Sequence, residues 1–347
     1  MRIAQVAPLY ERVPPPRYGG TERVVAKLAD ELTRRGHDVT LFASGDSVTE
    51  ARLVAAAPRA LRLDPDVRDP LASHIIQLAQ VFERADAFDL IHCHVGYLAF
   101  PSSRLVRAPT IHTLHGRLDL PDLVAVFRHF RQVPLVSISQ AQREPLASLG
   151  LNWVATVPHG VSTEDYRYAE RPGDYLAFLG RISPEKRPDL AIAIAKRTDL
   201  PLKIAAKVDM VDREYFEREI EPMLDDPRIE FLGELAEDDK CAFLAGALAL
   251  LFPIDWPEPF GLVMIEAMAC GVPVIARPCG SVPEVIVPGR TGFIADTLDE
   301  LVGAVKRVDT ISRAACREHV ERHFTVRHMV DNYEALYRRL TNAERIA

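Results

Sequence analysis

Short apolar runs alternate along the chain with stretches in which apolar residues recur every three or four positions. The first habit predicts buried strands and the second predicts helices with one buried face. Ile3–Ala7 reads as a strand, and a Gly19-Gly20 turn follows. Residues 21–36 then place Val24, Val25, Leu28, Ala29 and Leu32 on one helical stripe. Further strands are predicted at Val39–Ala43, Leu90–Cys93, Thr110–Leu114, Leu135–Ser139 and Trp153–Val157. After Pro158–Arg171 the pattern restarts. Strands are predicted at Tyr175–Gly180, 202–207, 229–233, 248–253 and 272–276, and helices at 187–197, 213–224, 238–247 and from about Phe260 to Cys270. Strand-helix alternation of this kind implies a mostly parallel sheet covered on both faces, here built twice in tandem. The expected fold class is α/β, with two Rossmann-like α/β/α domains. The expected divisions are 1–158, 159–325 and a C-terminal helix within 326–347. That helix carries Met329, Tyr333, Leu336, Tyr337 and Leu340 on one side. It either covers the second sheet or crosses back to the first domain.

The 347 residues suit two domains, and 48% hydrophobic content supplies two cores. A net charge of -7 gives no bulk reason to expect a nucleic-acid partner. Five cysteines without close pairing argue against a disulfide framework and for a reducing compartment. The first residues enter a strand-like run without an export signal, so a cytoplasmic location is expected. No apolar run reaches the roughly 18–20 residues that span a bilayer.

Four segments carry candidate chemistry at the ends of predicted strands, where open α/β sheets collect ligands. In the first, Gly19 and Gly20 free backbone N–H groups, and Thr21 is expected to cap the helix before Glu22. That is an anion site or an ordinary turn; the dinucleotide-binding glycine pattern is absent. In the second, His115-Gly116 follows a strand that also carries His112. Such a histidine either hydrogen-bonds a substrate hydroxyl or lies on the surface. His92 and His94 lack a third ligand at zinc spacing and read as structural imidazoles. In the third, Arg181 and Lys186 flank a loop before a helix. They form a clamp for a doubly charged anion or a solvated charge run. The fourth runs from Pro253 to Ala276. Glu258 and Glu266 stand eight residues apart around an expected helix start, where the N–H groups of Phe260, Gly261 and Leu262 favour phosphate. Two carboxylates suit the hydroxyls of a polyol. A buried Glu266 needs a ligand cleft or a partner.

Glu258-Pro-Phe-Gly-Leu-Val-Met-Ile-Glu266 resembles the E-x7-E motif of family 4 retaining glycosyltransferases of the GT-B fold. Gly180-Arg181 with Lys186, Gly19-Gly20-Thr21-Glu22 and His115-Gly116 occur in the family's order across nearly the whole chain. Residues 278–284 resemble its G-G-x-P-E segment, with Cys279 in place of the first glycine, and Thr291–Ala295 matches the turn and strand that follow. The resemblance implies two Rossmann-like domains facing each other across a cleft that holds a nucleotide-sugar donor. It implies that Arg181 and Lys186 hold the diphosphate, that Glu266 meets the ribose and that Glu258 meets the donor sugar. It places His115 at the reacting sugar, the Gly19-Gly20 loop near phosphate and acceptor, and the base around Phe231-Leu232-Gly233-Glu234. It implies no metal. Two departures stand out. His159-Gly160-Val161-Ser162 replaces the family's N-G-V-D, and Ala205–Asp209 replaces its glycine turn.

Loss of a nucleoside diphosphate builds negative charge, which two cations and a helix N-terminus stabilise. No clear carboxylate nucleophile is evident for a double displacement, so front-face transfer with retention is the expected mechanism. A UDP-sugar is the expected donor, with GDP-mannose the alternative. The acceptor is expected to be a small molecule or a saccharide-bearing intermediate, because no long basic amphipathic helix marks a membrane surface. Leu9–Tyr18, with three consecutive prolines, is expected to shape its entrance. Closure of the lobes about the linker at Pro158–Gly160 is expected on donor binding. The competing class is a noncatalytic module that binds a nucleotide sugar. A nucleotide-sugar epimerase and a periplasmic sugar-binding protein fit the motifs less well.

Overall fold

The computed structural model describes residues 1–17 and 19–344. Tyr18, at the end of the proline-rich segment, and residues 345–347 lie outside the described residues. The chain divides into two compact units. The first contains Met1–Gly160 and the segment from Val326, and the second is Val161–Thr325.

The first unit is built on seven strands: β1 (Arg2–Val6), β2 (Asp38–Ser44), β3 (Arg52–Ala57), β4 (Leu90–Cys93), β5 (Thr110–Thr113), β6 (Leu135–Ser137) and β7 (Trp153–Thr156). They pair in parallel in the order β3-β2-β1-β4-β5-β6-β7. The chain thus grows outward from β1 to β3, then returns to the other side of β1 to lay down β4. That reversal is a topological switch point, where the connections leaving two neighbouring strands diverge and open a crevice at their carboxyl ends. The helix Gly20–Arg34 buries Val24, Val25, Leu28 and Leu32, so its apolar stripe meets the sheet. Thr21 does not cap it. The helix starts one residue earlier, with Gly19 at its N-cap and no side-chain cap. The edge strand β3 escaped the sequence reading because Arg52-Leu-Val-Ala-Ala-Ala is only partly buried and half of it is alanine, which carries little strand propensity.

The helix Val326–Glu344 belongs to this first unit. Its buried side is the expected one at Met329, Tyr333, Leu336 and Tyr337. The Tyr333 hydroxyl reaches Thr113 Oγ1 at 3.0 Å, and the Tyr337 hydroxyl lies 2.7 Å from His92 Nδ1. At its rim Arg35 bridges Asp331 and Glu334, and His37 adds a 2.7 Å contact to Glu334.

The second unit has six parallel strands: β8 (Tyr175–Arg181), β9 (Leu202–Lys207), β10 (Ile229–Gly233), β11 (Ala247–Phe252), β12 (Val274–Ala276) and β13 (Gly292–Ile294). Their order is β10-β9-β8-β11-β12-β13, which puts a second switch point between β8 and β11. Ile192, Ile194, Leu202, Ile204, Leu251 and Ile275 form part of one core around this sheet. Residues 213–223 are helical without a break, as expected, but the ladder changes along them, from an α turn at Arg213–Tyr215 through a wider π turn at Phe216–Ile220 to a 3-10 turn at Glu221–Met223, where Pro222 has no N–H to donate. Two arginines of the helix Arg313–His323 satisfy carbonyls that the sheet and helices leave open. Arg313 donates to Ala169 and Ala247, and Arg317 donates to Tyr166 and Ala269.

Candidate functional site

In the second unit the loops leaving β8 and β11 meet at the switch point. The Asp255 N–H donates to the Glu185 carbonyl at 2.8 Å, tying one loop to the other. Lys186, on the 3-10 turn after β8, forms an ion pair with Glu258, on the loop after β11. The Trp256 indole N–H donates to the same carboxylate oxygen at 3.1 Å. The Lys186 ammonium also lies 4.9 Å from the centre of the Trp256 ring and 5.5 Å from that of Phe252. Both charged side chains are largely buried, so the pair keeps a strong field in little water.

The segment after β12 explains why Glu258 is held so firmly. Gly280 has φ +56, and a Cβ there would stand 2.3 Å from both the backbone nitrogen and the carbonyl oxygen of Glu258. Only glycine allows that approach. Ser281, fully buried, donates from its backbone N–H to the Glu258 carbonyl at 2.9 Å and from its hydroxyl to the Phe260 carbonyl at 2.8 Å. The Gly-Ser-Val-Pro-Glu segment is therefore the cradle of the Glu258 loop.

The helix expected from Phe260 begins at Leu262 and runs to Ala269. Gly261 is its N-cap at φ +76, and Phe260 turns its side chain into the core. The left-handed glycine sets the start two residues later than the apolar pattern suggests. Glu266 is 5% exposed and accepts from Lys240 Nζ at 2.6 Å and from the Tyr166 hydroxyl at 3.0 Å. Its burial is thus compensated inside the protein. Lys240 also pairs with Glu237 at 3.0 Å. The sequence reading did not identify Lys240 or Tyr166; a lysine among the apolar residues of 240–245 was the available signal.

Arg181, the last residue of β8, engages a separate set of acids. It donates to Glu185 at 2.9 Å and lies 3.8 Å from both Asp209 and Asp212. Lys207, its register partner on β9, holds Asp209 at 2.8 Å. Burial pushes the Asp212 carboxyl up from its ordinary value. Lys207 and Asp209, from the stretch that replaces the family's glycine turn, thus gather with Asp212 near the arginine. Farther along the sheet, β10 ends in a bulge at Phe231/Gly233, with Gly233 at φ +70, Leu232 partly exposed and the Phe216 ring 5.2 Å from Phe231.

In the first unit the switch between β1 and β4 carries a chain of polar side chains. Gln5 on β1 donates through Nε2 to the Tyr337 hydroxyl at 3.1 Å, and its Oε1 lies 2.9 Å from His94 Nε2. His94 Nδ1 lies 2.8 Å from His115 Nε2, and His115 Nδ1 lies 3.4 Å from His159 Nε2. His92 spans Tyr337 and Thr113 with 2.7 Å contacts on both ring nitrogens. Burial keeps these imidazoles neutral, pushing His115 down to about 3 and His92, His94 and His159 well below their usual value. The sequence reading singled out His115 but not its connection to Gln5 and His159.

The Gly19-Gly20 loop is shaped by close approach. Gly19 has φ +150, and a Cβ there would meet Pro15 at 2.8 Å. Behind it the Glu22 carboxyl is pushed up to about 7 by burial, with the neighbouring Glu11 charge adding to the shift. Glu11 itself pairs with Arg62 at 2.9 Å. Among the described residues, no three His, Cys, Asp or Glu side chains are grouped to hold a metal ion, and no helix is long and apolar enough to cross a membrane.

Two parallel-sheet domains, each with polar residues at its switch point, define the GT-B class of fold. Residues 18–165 match the family model described as Glycosyltransferase Family 4, and residues 169–319 match that described as Glycosyl transferases group 1. The chain belongs to this family of GT-B glycosyltransferases. It is similar to the D-inositol 3-phosphate glycosyltransferase of Acidothermus cellulolyticus, at 26% identity over 84% of this chain and 78% of the relative. The crystal structure of AviGT4, a glycosyltransferase involved in avilamycin A biosynthesis, has a TM-score of 0.75 at 24% identity, covering 99% of this chain and 98% of that one. HepE from Anabaena, solved in complex with UDP, has a TM-score of 0.74 at 16% identity, covering 96% and 99%. At these identities the solved structures show the shared fold.

Proposed function

We propose that the protein transfers a sugar from a nucleotide-sugar donor, preferably a UDP-sugar, to a small-molecule or saccharide-bearing acceptor with retention of anomeric configuration. The observation that carries this reading is the Lys186–Glu258 pair at the β8/β11 switch point, built from two loops and braced by Gly280 and Ser281. Lys186 supplies a mobile cation for the diphosphate. Arg181 supplies a second, once phosphate oxygens replace part of its present carboxylate shell. Glu258 then turns from Lys186 to the hydroxyls of the donor sugar. Glu266 meets the ribose while keeping Lys240 and Tyr166 as its supports. The N-terminus of the helix Leu262–Ala269, with Gly261 before it, favours the phosphate charge. The base lies along Phe231–Glu234. His115 and the Gly19-Gly20 loop, on the first unit, are assigned to the reacting sugar and to the phosphate and acceptor.

In the proposed step the bond from the anomeric carbon to the leaving phosphate oxygen breaks as the acceptor oxygen bonds to the same face of that carbon. The acceptor proton passes to the departing phosphate oxygen. The cations stabilise the growing charge on the diphosphate, and no protein nucleophile is needed. The preference for UDP draws support from HepE, whose structure holds UDP. Competition binding by UDP and GDP tests the base. Tighter GDP binding by about tenfold, worth about 1.4 kcal/mol, reverses the preference for UDP. A donor and acceptor panel read by product mass tests the reaction. Tight donor binding without product from any acceptor would favour the noncatalytic module.

A further inference from the structure

We propose that Gln5 and His94 act as positioning residues that fix His115 in one tautomer, with its proton on Nε2 and a free lone pair on Nδ1 for a substrate hydroxyl. The proposal rests on the reading that His115 meets the substrate, but the tautomer itself is set inside the first unit. Gln5 is fully buried between β1 and the C-terminal helix, with its amide nitrogen committed to the Tyr337 hydroxyl. Its carbonyl oxygen can only accept, so His94 Nε2, 2.9 Å away, must carry a proton. A neutral imidazole has one N–H. His94 Nδ1 is therefore an acceptor, and the proton in its 2.8 Å contact with His115 belongs to His115 Nε2. His115 Nδ1 is then left as an acceptor, and its partner in the protein is the 3.4 Å contact with His159 Nε2. That contact is long for a hydrogen bond, so a substrate hydroxyl at normal distance can take the Nδ1 lone pair in its place.

The chain of reasoning has one sense because each ring is neutral. Burial alone lowers His115, and burial with the neighbouring imidazoles lowers His94. Beside each other, His115 and His94 face Gln5, His92 and His159, none of them an acid that would favour imidazolium. The consequence is a change in role. A histidine at a strand end is usually free to donate or accept, and here its donor is already used inward. What remains recognises a hydroxyl hydrogen and not a carbonyl or phosphate oxygen.

The test is ring-nitrogen NMR of the full-length protein, with a variant at Gln5. Gln5→Met keeps the length and apolar stem but removes the acceptor. In the native protein, both His94 and His115 are expected as the Nε2–H form, with a pyridine-type Nδ1. Gln5→Met is expected to give mixed tautomers at His115. Turnover of whichever sugar nucleotide is consumed fastest in a donor panel is expected to fall about tenfold or more in Gln5→Met. UDP affinity should change by less than about twofold, because Gln5 touches no nucleotide. An Nδ1–H tautomer at His115, or an unchanged Nε2–H tautomer in Gln5→Met, overturns the proposal. Should Gln5→Met fail to fold, the native spectrum decides by itself. If the tautomers behave as expected while His115→Ala keeps full turnover, the positioning chain stands and the assignment of His115 to the substrate fails.

Discussion

Replacing Glu266 by Gln tests two things at once, because this carboxylate is both a proposed ribose ligand and one half of a buried ion pair. It is 5% exposed and accepts from Lys240 Nζ at 2.6 Å and Tyr166 Oη at 3.0 Å. Breaking a buried pair by neutralising one partner costs about 3–5 kcal/mol when the other charge is stranded. Lys240 is not stranded, since Glu237 remains 3.0 Å away, and the Gln oxygen still accepts from both donors. The cost therefore falls to about 2 kcal/mol, near that of a charged hydrogen bond. For a unit of this size, that lowers the thermal midpoint of the second unit by about 4–8 °C. Loss of the ribose contact separately weakens UDP by about 1–3 kcal/mol, or roughly fivefold to 150-fold. Lys240→Met removes the cation but no ribose ligand. In the Glu266→Gln, Lys240→Met double variant, part of the stability returns while UDP affinity stays low. Calorimetry for the unfolding midpoint and titration calorimetry for UDP, run on all four proteins, separate the effects. Unchanged UDP affinity in folded Glu266→Gln refutes the ribose role. An unchanged midpoint refutes the structural account of Lys240.

Glu258→Gln should leave UDP binding nearly unchanged but lower turnover of the full donor, whereas Lys186→Ala should lower both; equal losses of UDP affinity in the two variants would sink this division of roles. Gly280→Ala forces a Cβ to within 2.3 Å of the Glu258 backbone and adds left-handed strain of about 1–2 kcal/mol. It should reduce donor turnover far more than it lowers the unfolding midpoint, and near-native turnover would refute the cradle. Burial holds His112 and His115 down to about 3, so each remains neutral in the native state while the unfolded chain protonates near 6.5. Stability is then complete above about pH 6.5 and falls by about 1.4 kcal/mol per pH unit for each such histidine as the pH drops toward 3. His112, whose ring nitrogens find no hydrogen-bond partner among the described residues, packs edge-on against Phe100 at 4.8 Å. His112→Leu should make acid unfolding measurably shallower, and an unchanged acid slope would count against the burial argument.

The sequence by itself determined the alternation of strands and helices and the positions of the four polar segments. Both follow from local rules. A parallel strand buried on two faces must be apolar throughout, and a covering helix must repeat every three or four residues. Glycines at positions such as 19, 261 and 280 mark tight backbone, and acids and bases after strands mark crevice edges. The tertiary structure decided what those charges touch. Lys186 and Glu258 lie 72 positions apart, and only the β8/β11 switch brings them together. Glu266 finds Lys240 and Tyr166 because two helices and the first residues of the second unit pack there, which no spacing in the chain announces. Strand β3 was missed because its alanines carry little strand propensity and its edge position leaves it only partly buried, and the change of helix type along 213–223 depends on Pro222 and packing, which a helical period does not register. The link from Gln5 through His94 to His115 and His159 joins four strand ends and loops across 154 positions. Hydrogen bonds of that range are fixed by the sheet order, which local patterns cannot encode.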